Sequence, residues 1–539
     1  MVVFVRAKLF LMTKTSTTTS SRSISPRHSA RRPPPPSDPP SGGVSGSSRP
    51  SMPSRPPLVA PPVFARILPA NVGGHVDDDS PASSKRVAKR LRSWSGSESS
   101  APGSPPRVTL EDDHGPAEYR FFRDVFGPGA SQSRVFDAAA APLLRRCLED
   151  LDDPRSAFLF AYGQTGTGKT HTIMGPEASW REVGHPERGL FPRVVDDVLR
   201  VARAVADTHV VSLGVSAVEF YFCQGFDLLD DHAQVDVRDG EIVGRKQAEV
   251  KTLDDVLDVL ATVRARRTTA STKMNPAVRA SASGGGAEKD TASHGGSSRS
   301  HCALTAHVTV VNRATKVVRV ATFGAMDLAG AERPSSNGHE FAGVMEAVMS
   351  YWRDPASVRP CAQAAIINLE LAALRSAIVQ ATEAHAKGRE VAAPTQLGTA
   401  AVNYMTGLFD GRCQVANVVT LSQARKCGWE TWFACTYAED VAKLRMPPDT
   451  STAGKTADGG VNRNRLGRGG KRKKKKKETL AEWRVRAIAT RDEAREALAK
   501  TPAKGHPSSK FHQRRVIDAR HWTREAEIAE RVEERLEGE

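Results

Sequence analysis

The apolar run Ala157–Tyr162 passes without a break into Gly163, Gln164, Thr165, Gly166, Thr167, Gly168, Lys169 and Thr170, and the residues that follow are compatible with a helix. The order G-x-x-x-x-G-K-T, placed between a strand and a helix, is that of a phosphate-binding loop. Its glycines let the backbone turn so that N–H groups face inward on phosphate oxygens. The helix start adds the positive end of its dipole. Lys169 supplies a mobile charge for β- and γ-phosphates, and the Thr170 hydroxyl is placed to ligate Mg2+.

Around this loop, from Tyr119 to about Met446, strand-like apolar runs alternate with amphipathic helical stretches, which is the α/β pattern. Strands are predicted at 63–69, 157–162, 210–222 and 317–327, and helices at 133–151, 190–206, 253–264 and 362–382. Residues 74–116 read as a polar stretch, Ala277–Gly296 as an inserted Ala/Ser/Gly loop and Pro334–Pro360 as irregular. Two more segments bear on chemistry. Ser297, Ser298, Arg299, Ser300 and His301 put hydroxyls ahead of the alternating stretch Ala303–Val311. Asp327 closes an apolar strand, with Gly330 and Glu332 after it. That is the form of a carboxylate beside Mg2+ followed by a glycine amide able to sense a γ-phosphate.

Charge divides the chain of 539 residues, which is longer than one compact core usually holds. Residues 1–60 carry nine Lys and Arg against one acid, and residues 451–539 carry 24 against 14, so the +16 of the whole leaves a middle of net −2. A uniformly basic nucleic-acid-binding domain is excluded; a near-neutral core with two cationic ends is expected. No stretch of 18 apolar residues lacks a charge, which excludes a transmembrane helix. Seven cysteines lie scattered without a C-x-x-C, signalling neither a disulfide framework nor a zinc site, with a reducing compartment as the default. The first 37 residues hold no acid and read either as a disordered basic extension or as an organelle transit segment. The domain expectation is therefore a Ser/Pro/Arg-rich extension at 1–60, a P-loop α/β domain at 61–450, a Gly/Lys/Arg linker at 451–477 and a charged helical tail at 478–539. The tail's apolar positions do not sustain a heptad, so dimerisation stays open. The run Lys471–Lys477 reads as a nuclear localisation signal, a tether to an acidic partner or a solvated spacer.

Taken in order, these segments resemble a kinesin motor domain over about 62–446. The resemblance extends to Phe121, Phe122 and Phe126 with Ser131, Gln132, Val135 and Phe136; to Phe160–Thr172; and to Gly189, Leu190, Phe191, Pro192 and Arg193. Val215–Tyr221, Asp227–Leu229, and Asn368 with Leu371, Ala373 and Leu374 also carry it. It implies a kinesin-type P-loop fold, with a mostly parallel central sheet and helices on both faces. It further implies ATP and Mg2+ as cofactors and microtubules (tubulin) as partner, with no membrane and no nucleic acid. By resemblance Arg66, Pro69 and His171 frame the adenine, although Leu68 stands where the family has a second Arg. Ser297 and Ser298 would be hydroxyls near Mg2+ and the γ-phosphate, Asp327 would hold the Mg2+ shell, and the Gly330 amide would report the γ-phosphate. Arg299 and Glu332 would pair and close the site around the lytic water.

The departures are specific. His294 occupies the position of the family's Asn before the Ser pair, and the nearest candidate, Asn275, lies beyond the insertion. The family's Pro-Tyr-Arg-Asp-Ser-Lys-Leu-Thr track-contact segment reads Pro394 to Ala401 here with only the proline kept. The resulting expectation is a kinesin-like, microtubule-associated motor ATPase of the cytoskeleton, with nuclear entry through Lys471–Lys477 as one option. The alternative is a non-motile nucleotide-binding microtubule scaffold. A P-loop ATPase acting on nucleic acid has only the charge run behind it.

Overall fold

The computed structural model describes residues 58–70, 89–96, 105–112, 114–180, 182, 184–274, 299–331, 343–353, 360–389, 391, 399–411, 413–446, 478–501 and 509–538, and all that follows concerns these. Residues 1–57 of the N-terminal extension, the insertion at 277–296 and the polybasic run lie outside them.

The strands are β1 (Val63–Ile67), β2 (Lys89–Ser95), β3 (Arg107–Asp112), β4 (Gly115–Tyr119), β5 (Asp124–Phe126), β6 (Ser156–Gly163) and β7 (His209–Tyr221). They continue with β8 (Gln224–Asp227), β9 (Ala233–Arg238), β10 (Glu241–Val243), β11 (Ala248–Glu249), β12 (His301–Asn312), β13 (Val318–Asp327) and β14 (Cys413–Leu421). The main helices are α1 (Ala141–Leu148), α2 (Lys169–Ile173), α3 (Leu190–Ala204), α4 (Leu253–Met274) and α5 (Val344–Arg353). After them come α6 (Pro360–Ala386), α7 (Ala400–Leu408), α8 (Gly428–Lys443), α9 (Leu480–Ala499) and α10 (Ser509–Gly538).

The central sheet runs β10-β9-β8-β7-β12-β13-β6-β14-β1-β5, with β11 paired to β7. Around the phosphate-loop strand the pairs β13–β6, β6–β14, β14–β1 and β1–β5 are parallel. From β13 outward through β12, β7, β8, β9 and β10 every pair is antiparallel. The sheet is therefore mixed and not mostly parallel. The physical reason is connection length: β6 to β7 and β13 to β14 are joined through helices, whereas β7–β8, β8–β9, β9–β10 and β12–β13 are joined by short turns that permit only antiparallel neighbours. Short polar turns such as Asp231–His232 and Lys316, all at positive φ, make those hairpins.

Strand alternation sorts the core into two layers. Ala157, Leu159 and Ala161 of β6 and Val211, Leu213, Val215 and Ala217 of β7 face a layer built with α1 to α4. Phe158, Phe160 and Tyr162 of β6 and Val218 and Phe220 of β7 face α6, α7 and α8. Helix α6 contains a window with a mean hydropathy of 1.3, but 67% of that window is buried inside the domain. It also carries Glu370 and Arg375, so it is a core helix. A separate three-stranded sheet, β2-β3-β4, occupies part of the stretch expected to be merely polar, and α5 occupies part of the irregular one.

Beyond α7, the same face of the sheet is covered by the C-terminal helices. The even-numbered residues of β7 continue to Val210, which packs with Val311, Val318, Leu480, Trp483, Ile528, Ala529 and Val532. Helix α9 starts in a capping box, with Thr479 Oγ1 accepting from Glu482 N and Thr479 N donating to Glu482 Oε2. A backbone bridge ties Thr479 to Val317, and Val318 N donates to the Glu478 carbonyl at 3.0 Å. Helix α10 reaches the β8–β10 edge through charges: Arg524 Nη2 donates to Asp230 Oδ2 at 2.8 Å, and Arg238 pairs with Asp518. The segment expected as a charged helical tail at 478–539 thus contains two helices, and they pack onto the sheet as part of the folded domain.

Two outcomes follow from this layer. Trp483, 1% exposed, fills the junction of α9 with the sheet, and Trp483→Ala is expected to lower the unfolding free energy by about 3–5 kcal/mol, read by urea denaturation. His521 is buried on α10, and burial first, then Arg245, Arg238 and Arg524, push its pKa down to about 3. The folded chain therefore refuses a proton that the unfolded chain accepts below about pH 6.5. The stability is complete above that pH and declines as pH falls towards about 3, by up to about 1.4 kcal/mol per pH unit. A pH series of urea midpoints checks this, with His521→Phe expected to flatten that part of the profile.

Candidate functional site

Strand β6 ends in the loop Gly163–Gly168, where Gly163, Gly166 and Gly168 have φ of 154°, 79° and 93°. That left-handed backbone is open to glycine and costs other residues strain. The Lys169 side chain is buried and folds back, with Nζ donating to the Gly163 carbonyl at 2.9 Å and to the Gln164 carbonyl at 2.8 Å. Thr167 Oγ1 shares a 2.6 Å hydrogen bond with Thr420 Oγ1 of β14, pinning the loop to the neighbouring parallel strand.

Because β13 lies parallel beside β6, the carboxylate at its end arrives next to the loop. Thr170 Oγ1 donates to Asp327 Oδ2 at 2.6 Å. Three residues on, Gly330 sits so close to the loop that a Cβ there would stand 2.1 Å from Thr165 Oγ1 and 2.7 Å from Thr165 N. Only glycine fits this approach. Ala331 N reaches the Gly163 carbonyl at 3.4 Å.

Arg267 is a central member of the site that the sequence reading passed over. It projects from α4 into the interior, where Nη1 donates to Asp327 Oδ2 at 3.1 Å and Nη2 to the Ser300 carbonyl at 3.2 Å, and Nε lies 3.7 Å from Glu219. Glu219 in turn accepts from Ser300 Oγ at 2.5 Å. Burial alone would lower the guanidinium's pKa, but Cys302, Asp327 and Glu219 outweigh it and hold the pKa above its ordinary value. The apolar spacing predicts a helix only over 253–264; the observed helix runs on to Met274, and its added turns deliver Arg267. The signal was an arginine in the otherwise amphipathic tail of that stretch.

Arg66, near the end of β1, donates to Gln132 Oε1 at 2.9 Å and to Thr172 Oγ1 at 3.0 Å. Gln132 Nε2 donates to the His171 carbonyl at 2.6 Å, so Arg66 and His171 are brought together through Gln132. His171 Nε2 lies 3.1 Å from Glu187 Oε2. Burial and then the Arg66 charge pull the His171 pKa below its usual value, with Glu187 opposing. Pro69 is exposed just past the strand. Arg299 donates to Gln363 Oε1 of α6 at 2.6 Å. Ser297, Ser298 and Glu332 lie outside the described residues, as do Asn275, His294 and most of Pro394–Ala401.

The donor set suits Mg2+, a hard cation that takes carboxylate and hydroxyl oxygens. Asp327 is 2% exposed, and its Oδ1 is buried with no hydrogen-bond partner among the described residues. An oxygen left in that state is costly unless a cation or water completes it.

A mixed α/β sheet carrying a glycine-rich loop, a loop lysine and a strand-end carboxylate defines a P-loop nucleotide-binding domain. The sequence model of the kinesin motor domain matches residues 84–283. The kinesin-like protein KIN-14K of Arabidopsis thaliana is 33% identical over 217 residues, covering 40% of this chain and 18% of that protein. The kinesin-like protein KIF27 of Mus musculus is 29% identical over 238 residues, covering 40% and 15%. The chain thus spans less than a fifth of either relative. A solved chain described as the structure of a fast kinesin aligns with a TM-score of 0.49 and 19% identity, over 73% of this chain and 94% of that one.

Removing Arg267 would strand two buried carboxylates. Arg267→Ala is expected to lose about 3–5 kcal/mol of unfolding free energy, with Arg267→Lys losing less; urea midpoints at pH 7 compare them.

Proposed function

We propose that this chain is a kinesin-like, microtubule-associated ATPase. The observation carrying this reading is the convergence of Lys169, Thr170, Asp327 and Gly330 on one glycine loop, within a chain whose residues 84–283 match the kinesin motor domain. ATP hydrolysis breaks the bond between the β,γ-bridging oxygen and the γ-phosphorus, with water attacking in line. Such a reaction is accelerated by positioning and charge stabilisation. Residues 163–168 would cradle the phosphates with backbone N–H groups, and Lys169 would exchange its loop carbonyls for phosphate oxygens. Arg66, Pro69 and His171 would border the base. Thr170, Asp327 and Ser298 would hold Mg2+, which supplies charge neutralisation at the phosphates. The Gly330 amide would bond the γ-phosphate, while Ser297, Ser298, Arg299 and Glu332 would close around the attacking water.

In this reading residues 61–450 form the ATPase domain, 1–60 an extension, 451–477 a basic linker and 478–539 a helical tail docked on the domain. Microtubules are acidic partners, so the basic ends would strengthen an otherwise near-neutral domain's hold on them, with an affinity that falls as salt rises. Residence on the cytoskeleton follows from that partner.

The test is steady-state ATP turnover of the full chain, with and without microtubules, against Lys169→Ala. Stimulated turnover is expected, with a loss of about 100-fold or more in the variant, as for removal of a charge that stabilises the transition state. Nucleotide binding with no turnover under either condition would instead assign the chain to the scaffold class.

A further inference from the structure

The face of the sheet under α6, α7, α9 and α10 carries two apolar clusters. One includes Val218 of β7, Ala303 of β12 and Met326 of β13, and the other Val210, Val311 and Val318 of the same three strands. Between them the alternation keeps its phase but changes character. Strand β7 offers Ser212, Gly214 and Ser216, β12 offers Thr305, His307 and Thr309, and β13 offers Thr322 and Gly324. His307 stands opposite Gly214 on one side and Thr322 on the other, so the polar stripe is in register across all three strands. Thr305, His307 and Thr309 are buried. Valines would suit the same strand positions without the cost of burying polar groups.

The β12 and β13 part of this stripe floors a cavity of ≈ 100 Å3, where a single water needs only roughly 10–15 Å3. Glu241 and Arg245 stand on one side and Tyr404 of α7 on another, while Trp483 of α9 and Glu525 and Ile528 of α10 cover it. Part of its hydrogen-bonding capacity is already taken up. His307 Nε2 shares a 2.8 Å bond with Ser216 Oγ and lies 3.4 Å from Arg245 Nε. Arg245 Nη1 donates to the Ile242 carbonyl. Glu241 and Glu525 each have partners within the fold. Four groups have no protein partner among the described residues: Arg245 Nη2, the hydroxyls of Thr309 and Thr322, and Trp483 Nε1. Nor does any carboxylate there pair with the Arg245 guanidinium.

These four groups are donors or hydroxyls, and one of them carries a full positive charge. A ligand that satisfies them accepts hydrogen bonds, brings one negative charge and has hydroxyls of its own. We propose that this cavity is a binding site for a small hydroxy-carboxylate. Its carboxylate would accept from Arg245, its hydroxyls would bond Thr309 and Thr322, and its carbon face would lie against Trp483 and Ile528. The carboxylates of Glu241 and Glu525 disfavour a polyanion such as phosphate by repulsion, and a neutral polyol would leave the Arg245 charge without a counterpart. The site shares no residue with the phosphate loop, and it stands independently of the nucleotide reading. Because the ligand would touch the sheet, α9 and α10 together, its binding would also hold the C-terminal helices in place.

The experiment is calorimetric titration of the full chain with lactate, glycerate and 3-hydroxybutyrate, alongside inorganic phosphate and glycerol. At least one of the carboxylates is expected to bind with a dissociation constant of about 1 mM or lower. Arg245→Met should weaken that binding about 10-fold or more, the scale of a hydrogen bond to a charged group, and Arg245→Lys should weaken it less. Thr322→Leu, which fills the cavity from β13, should abolish it, and stands in should the methionine variant not fold. Urea midpoints show which variants are folded. The proposal is overturned if none of the three carboxylates binds at about 10 mM, or if phosphate or glycerol binds in their place. Carboxylate binding that is unchanged in a folded Arg245→Met or Thr322→Leu variant overturns it too.

Discussion

The arrangement depends on one carboxylate at the end of one strand. Asp327 lies at the C-terminal end of β13, and because β13 runs parallel to β6 its side chain arrives beside Thr170 at the start of α2. Its other neighbour is Arg267, a buried cation from α4, which it shares with Glu219. A buried carboxylate is tolerable only with such partners. The charge cluster therefore sets where α4 ends its approach to the sheet, where β12 begins, and how the phosphate loop meets β13. The same acid that makes the site chemically useful also ties three layers of the fold together.

The second organising feature is the division of the sheet. Its parallel half holds the loop and the strand-end acid, in line with the tendency of α/β folds to place ligands outside the carboxyl ends of parallel strands. Its antiparallel half contributes Glu219 of β7 to the charge cluster around Arg267. It is built from hairpins, and it offers a face that α9 and α10 cover through Trp483, Val532 and the Arg524 ion pairs. A chain of near-neutral core and basic ends thus spends part of its C-terminal charge on internal contacts: Arg524 and Arg520 on Asp230, and Arg484 on Glu533.

What was legible in the sequence depended on local repetition. The strand at 157–162, the helix at 190–206 and the helix at 362–382 were readable because apolar spacing repeats over many residues, and each lies within a few residues of the observed β6, α3 and α6. The phosphate loop was readable because its glycines and lysine are contiguous. Arg267 was not, because it acts through partners 48, 33 and 60 residues away, at Glu219, Ser300 and Asp327. Strands β2 to β4 were hidden by their charge: Lys89, Arg90, Arg92, Glu111 and Asp112 pair across the strands, so the side chains that make them look like loop are those that hold them together. Strand direction was the other gap, since apolar periodicity says nothing of which neighbour a strand pairs with.

The docking of α9 also reaches the β12–β13 turn. The Glu478 carbonyl accepts from Val318 N, and Leu480 N donates to the Lys316 carbonyl, so the start of the helix clasps the turn on both sides. Hairpin and helix cannot separate without giving up these backbone bonds together, which makes the C-terminal helices a brace for the antiparallel end of the sheet.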